Sequence, residues 1–136
     1  MESLDSVLDD LLYSVDYNFL LFWAVLSATL DWRGGELTPE RMEDVLDLIT
    51  EMLDTGWMVA GEINSAAPDG YGPWIGSTTD IVERIRQRWR EIGWDKAWKE
   101  PCLPCTFHIT PAGRHEASLR FYHGSPARYW IKTPPK

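Results

Sequence analysis

Between Thr38 and Gly56 the sequence writes a helix with a defined start, one apolar face and a defined stop. Thr38-Pro39-Glu40 supplies a hydroxyl for capping, proline at the first helical position, and a carboxylate facing the positive end of the dipole. Met42, Val45, Leu46, Ile49, Met52 and Leu53 then recur at helical spacing, and Gly56 suits the left-handed turn that ends a helix. Residues 57–63 follow at once as an apolar, strand-forming run. A helix running into a strand through Gly-Trp predicts a fold that mixes the two.

The remaining elements are placed around it. Leu4, Val7, Leu8, Leu11, Leu12 and Val15 alternate with Asp5, Asp9 and Asp10 in the pattern of an amphipathic helix. Residues 19–30 are apolar nearly all round, which predicts a buried helix. The apolar run 17–30 is shorter than the roughly 20 residues a bilayer span requires. Residues 64–76, rich in glycine and proline, predict an exposed loop. Ser77, with Asp80 three residues on, opens a helix that Gly93 closes. That helix puts Ile81, Val82, Ile85, Trp89 and Ile92 on one side and Arg84, Arg86, Arg88 and Arg90 on the other. A short strand is expected at 105–109, a last helix at 114–122 and an extended tail at 124–136. The expected fold class is α+β, mainly helical, with a small two- or three-stranded antiparallel sheet. A chain of 136 residues fits a single domain, 1–136, and is long enough to fold without a metal or disulfide.

Two segments resemble a known family. The unit 38–63 and the run Thr106-Phe107-His108-Ile109-Thr110-Pro111-Ala112-Gly113-Arg114 are similar to the helix–strand unit and the closing strand of winged-helix domains. The resemblance implies that the two strands form a wing, here with an extra helix inserted between them. It also implies that the helix before the first strand would read DNA. In this chain that helix carries Glu40, Glu43, Asp44, Asp47, Glu51 and Asp54 against Arg41 alone, a surface that phosphates repel. A fold can be kept while its function is not.

Charge is distributed unevenly. Residues 1–70 hold 15 acidic and 2 basic side chains, and residues 71–136 hold 6 acidic and 11 basic ones, for a net of −8. Either the halves pair with each other or each faces a different partner. Glu2, Asp5, Asp9, Asp10 and Asp16 precede the apolar run where an export signal carries positive charge, so a cytoplasmic location is expected.

No catalytic set stands out. There is no Gly-x-Ser-x-Gly elbow, and Asp69-Gly70-Tyr71-Gly72-Pro73 lacks the lysine and the helix of a phosphate loop. Cys102 and Cys105 lead into a strand rather than a helix N-terminus, which argues against a redox pair. With His108 and His115 they form the one candidate metal set, but strand alternation sends Cys105 and His108 to opposite faces. No enzyme activity, cofactor or metal is expected. The reading is an acidic protein-binding module, like immunity proteins or antitoxins, that neutralises a basic toxin or effector. Its acidic face would be Glu40, Glu43, Asp44, Asp47, Glu51 and Asp54, with Trp32, Tyr71 and Trp74 as exposed aromatic anchors. The alternative is a DNA-binding regulator that uses Arg84, Arg86, Arg88 and Arg90 on phosphates. No membrane partner is expected, and the oligomeric state is left open.

Overall fold

The computed structural model describes residues 2–15, 19–67, 70–100 and 104–121. Its elements are α1 (Leu4–Tyr13), β1 (Phe19–Leu21), α2 (Phe22–Arg33), a 3₁₀ turn (Pro39–Arg41), α3 (Met42–Asp54), β2 (Met58–Ile63), β3 (Tyr71–Pro73), α4 (Thr78–Ile92), α5 (Lys96–Lys99), β4 (Thr106–Ile109) and α6 (Pro111–Phe121). The class is α+β and mainly helical, as expected. The expected tail, 124–136, lies outside the described residues.

All pairings in the sheet are antiparallel, in the order β1-β4-β2-β3. Four strands replace the two or three expected, because two short segments outside the expected strands pair into the sheet. Residues 19–21, expected to begin a helix, pair with β4 instead, Phe19 opposite His108 and Leu21 opposite Thr106. Phe-Leu-Leu suits either state, and a long-range pairing decides it. Residues 71–73, expected in an exposed loop, form the edge strand β3. An edge strand tolerates Pro73 because one side of it needs no ladder bond.

Alternation along β4 separates two faces. Cys105, Phe107 and Ile109, with Leu20, Met58 and Ala60, join one core with the inner faces of the helices. At the centre of that core Phe22 meets Trp89 edge-on at 5.0 Å and stacks on Phe107 at 6.2 Å, while Trp89 also stacks on Trp94 at 4.9 Å. Offset and edge-on aromatic pairs contribute roughly 0.5–1.5 kcal/mol each beyond the area they bury. On the other face Tyr71, His108 and Phe19 form a row of rings, with Tyr71 stacked on His108 at 4.9 Å. Tyr71 lies across Gly61, where a Cβ would come within 2.9 Å of its hydroxyl, and the hydroxyl donates to the Thr106 carbonyl at 2.8 Å.

Helix ends follow local chemistry in most places. The Ser77 hydroxyl accepts from the Asp80 amide at 3.1 Å, and Gly93 closes α4 in the left-handed region (φ 89°). Thr38 departs from expectation. Its hydroxyl caps no amide but bonds the Glu40 carboxylate, and the chain enters α3 through the 3₁₀ turn.

The Thr110-Pro111-Ala112-Gly113 run has a concrete role. The Thr110 hydroxyl donates to the Gly56 carbonyl at 2.6 Å and accepts from the Gly113 amide at 3.0 Å, so one side chain starts α6 and ties it to the α3–β2 turn. Gly113 is required by packing, since a Cβ there would sit 2.2 Å from the Trp57 carbonyl oxygen.

Candidate partner-binding surface

The charged side chains begin on helices whose inner faces are fixed by the core, so their positions are inherited from packing. α3 and α4 pack against each other, and charges of opposite sign meet at their seam. The Arg86 guanidinium grips the Glu43 carboxylate through two bonds, at 3.0 and 2.9 Å, and also pairs with Glu83. Arg86 holds the Glu43 carboxyl below its ordinary pKa, against a smaller opposing effect of burial. Arg88 pairs with Glu62 of β2 at 2.8 Å and donates to the Pro104 carbonyl at 2.7 Å. Arg84 lies over the Trp74 ring at 4.1 Å. Arg90 is exposed, with no ion pair among the described residues. Three of the four arginines expected to face phosphates are therefore engaged within the domain.

The six carboxylates predicted as one acidic face divide in two. Asp44 is taken by Arg41 at 2.6 Å and Arg33 at 3.4 Å, and Glu43 by Arg86. Glu40 is exposed on the 3₁₀ turn, and its carboxyl is lowered by bonds from its own backbone amide and the Thr38 hydroxyl. Asp47, Glu51 and Asp54 are exposed one turn apart on α3, with no cation at ion-pair distance among the described residues. That stripe is the open part of the predicted face.

The aromatic anchors need correction. Tyr71 is 2% exposed and Trp74 9%, both packed against the sheet, and Trp32 is half-buried under Arg33 at 3.9 Å. Tyr71 and Trp74 are not surface rings, because β3 pulls the glycine-rich segment onto the sheet edge. The large apolar side chains that do reach solvent include Ile75, 93% exposed, and Trp23, 49% exposed. Residues 19–30 were expected to be buried all round, so Trp23 was missed. Its position was legible: Trp23, Ser27 and Asp31 lie at successive turns of one stripe, and the polar pair marks that stripe as outward-facing.

The candidate metal set is not assembled. Cys105 is buried in the core, where loss of solvation pushes its thiol well above the ordinary range, while His108 stacks on Tyr71 and meets Phe19 at a tilt on the opposite face. His115 is exposed on α6, and Cys102 lies outside the described residues. The described residues hold no cluster of three or more His, Cys, Asp or Glu placed to ligate a metal ion. An open cleft of about 490 Å³ is lined by Pro39, Ile92, Trp94, Asp95, Lys96 and Lys99. No helix among the described residues is long and apolar enough to cross a membrane.

Comparison with protein-family models, with characterised proteins and with solved structures finds no match to this chain.

Proposed function

We propose that this chain is a non-enzymatic, acidic protein-binding module of the immunity or antitoxin type, which neutralises a basic toxin or effector by direct contact. The observation that supports it most is the stripe Asp47, Glu51 and Asp54 on α3, which has no cation at ion-pair distance among the described residues while Arg84, Arg86 and Arg88 are engaged elsewhere in the domain. A surface of this kind raises association rates with a cationic partner, and steering of that sort weakens with added salt. The α+β framework, with a helix between its strands, is compatible with a winged-helix ancestry that has lost the DNA-reading role. Engagement of Arg84, Arg86 and Arg88 within the domain counts against the DNA-binding alternative.

The test is co-expression with the product of the adjacent reading frame, followed by calorimetric titration at low and high salt. Binding is expected to fall at least about tenfold in an Asp47→Lys, Glu51→Lys variant, with little change in stability because both sites are exposed. Tight, salt-sensitive binding of mixed-sequence duplex DNA, lost in Arg90→Glu, would overturn the reading.

A further inference from the structure

A second acidic region lies away from α3, in the groove between α1 and α2. The groove holds about 150 Å³, with Leu11, Ala24 and Ala28 as its floor, Trp23 as a wall, and Asp10 and Asp31 beside them. That volume is below the roughly 300 Å³ at which small-molecule pockets begin, and suits a single side chain. Small residues on α2 keep the floor low, and half-exposed Trp23 rises above it.

We propose that this groove seats an arginine side chain of the basic partner, its guanidinium against the Trp23 indole and its N–H groups on Asp10 and Asp31. The proposal rests on the reading of the chain as a module that binds a basic protein, and it names a contact on that partner. Two independent features argue for arginine. The first is charge. The Glu2 amide donates to the Asp31 carbonyl at 2.7 Å, which brings the Glu2 carboxylate into the neighbourhood of Asp10 and Asp31. Burial, then repulsion from Glu2 and a hydrogen bond with its carboxyl, and then repulsion from Asp31 and Asp9 hold the Asp10 carboxyl above its ordinary pKa. Asp9 has a cation, Arg120 of α6, but Glu2, Asp10 and Asp31 have none at ion-pair distance among the described residues. A cation placed there relieves repulsion that the fold otherwise carries.

The second feature is how this domain covers three of its other tryptophans, while Trp89 and Trp94 stack on each other. Trp32, Trp74 and Trp57 are each covered by a guanidinium, of Arg33, Arg84 and Arg120, at 3.9, 4.1 and 4.9 Å. Among the described residues Trp23 has no such cover, although half of it faces solvent. Arginine fits better than lysine because its planar group stacks on a ring while its edge bonds carboxylates.

The probe is an acetylated tri-arginine amide, titrated into ¹⁵N-labelled domain at low salt, with tri-lysine and tri-citrulline peptides as controls. The Trp23 indole N–H, identified by its loss in Trp23→Leu, is expected to shift saturably with tri-arginine and not with tri-citrulline. An Asp10→Asn, Asp31→Asn variant, which keeps the groove's shape, is expected to weaken binding about tenfold, roughly 1.4 kcal/mol. Equal affinity for tri-lysine would overturn the choice of arginine. Shifts confined to α3 amides, with Trp23 unmoved, would overturn the groove and leave the acidic-module reading intact. No shift anywhere in the spectrum would count against both.

Discussion

α3 and α4 are the same kind of object with opposite sign. Each is an amphipathic helix with one apolar face in the common core, and the two lie side by side. They differ in what became of their charges. On α4 Arg84, Arg86 and Arg88 each have a partner within the domain, whether a carboxylate, a carbonyl or a ring. Among the described residues, the α3 carboxylates near the seam and near Arg33 and Arg41 are paired, and Asp47, Glu51 and Asp54 are not. Opposite charges cancel where packing brings the helices together, and the excess is left on the stripe that packing turns away. A net charge of −8 therefore does not describe an evenly negative body. It describes a locally balanced seam with acidic regions beyond it.

The largest test of this comparison removes the packing that makes the seam. Trp89→Ala empties the fully buried centre of α4, between Phe22 and Trp94, and is expected to cost about 3–5 kcal/mol, read as a lower denaturation midpoint. If the loss were under about 1 kcal/mol, α4 would not be anchored as described. A smaller effect is expected from Gly113→Ala, where the added methyl meets the Trp57 carbonyl and α6 has to shift. Strain of this sort costs about 1–3 kcal/mol, and Ala112→Gly beside it, on an exposed turn, serves as a control for helix propensity alone.

The smallest effect concerns the seam itself. A double-mutant cycle of Glu43→Gln and Arg86→Gln is expected to give a coupling of about 0.5–1 kcal/mol, shrinking with salt, because Glu43 is largely exposed. Its pH dependence has a definite sign. Glu43 is held below its unfolded pKa, so its contribution is complete above the unfolded value and is lost as pH falls through the folded one. The coupling should therefore be present at neutral pH and vanish in acid. A coupling unchanged at acid pH would mean that the bridge does not form.

Local chemistry was enough to read much of the fold. The helical face of α3 and the Ser77 and Gly93 ends of α4 are set by residues within a turn of one another, and so is the strand after Gly56. Those signals are legible because a cap or a period involves only neighbouring positions. The Thr38 cap failed even so, since the competing Glu40 carboxylate took its hydroxyl.

What the sequence by itself determined is the class of fold, the sign of each helix and the imbalance between the halves. Only the tertiary structure decided which charges are cancelled and which rings are hidden. β1 and β3 exist because β4 and β2 offer them backbone partners, and β3 is what buries Tyr71 and Trp74. Arg86 finds Glu43, and Arg120 finds Asp9, across separations that no local pattern encodes. Salt screens exposed charges beyond about 8–10 Å at physiological ionic strength, so a charge is free or bound according to where packing leaves it. The acidic regions of this domain are thus written in its sequence, but their open parts, on α3 and beside Trp23, are set by the fold.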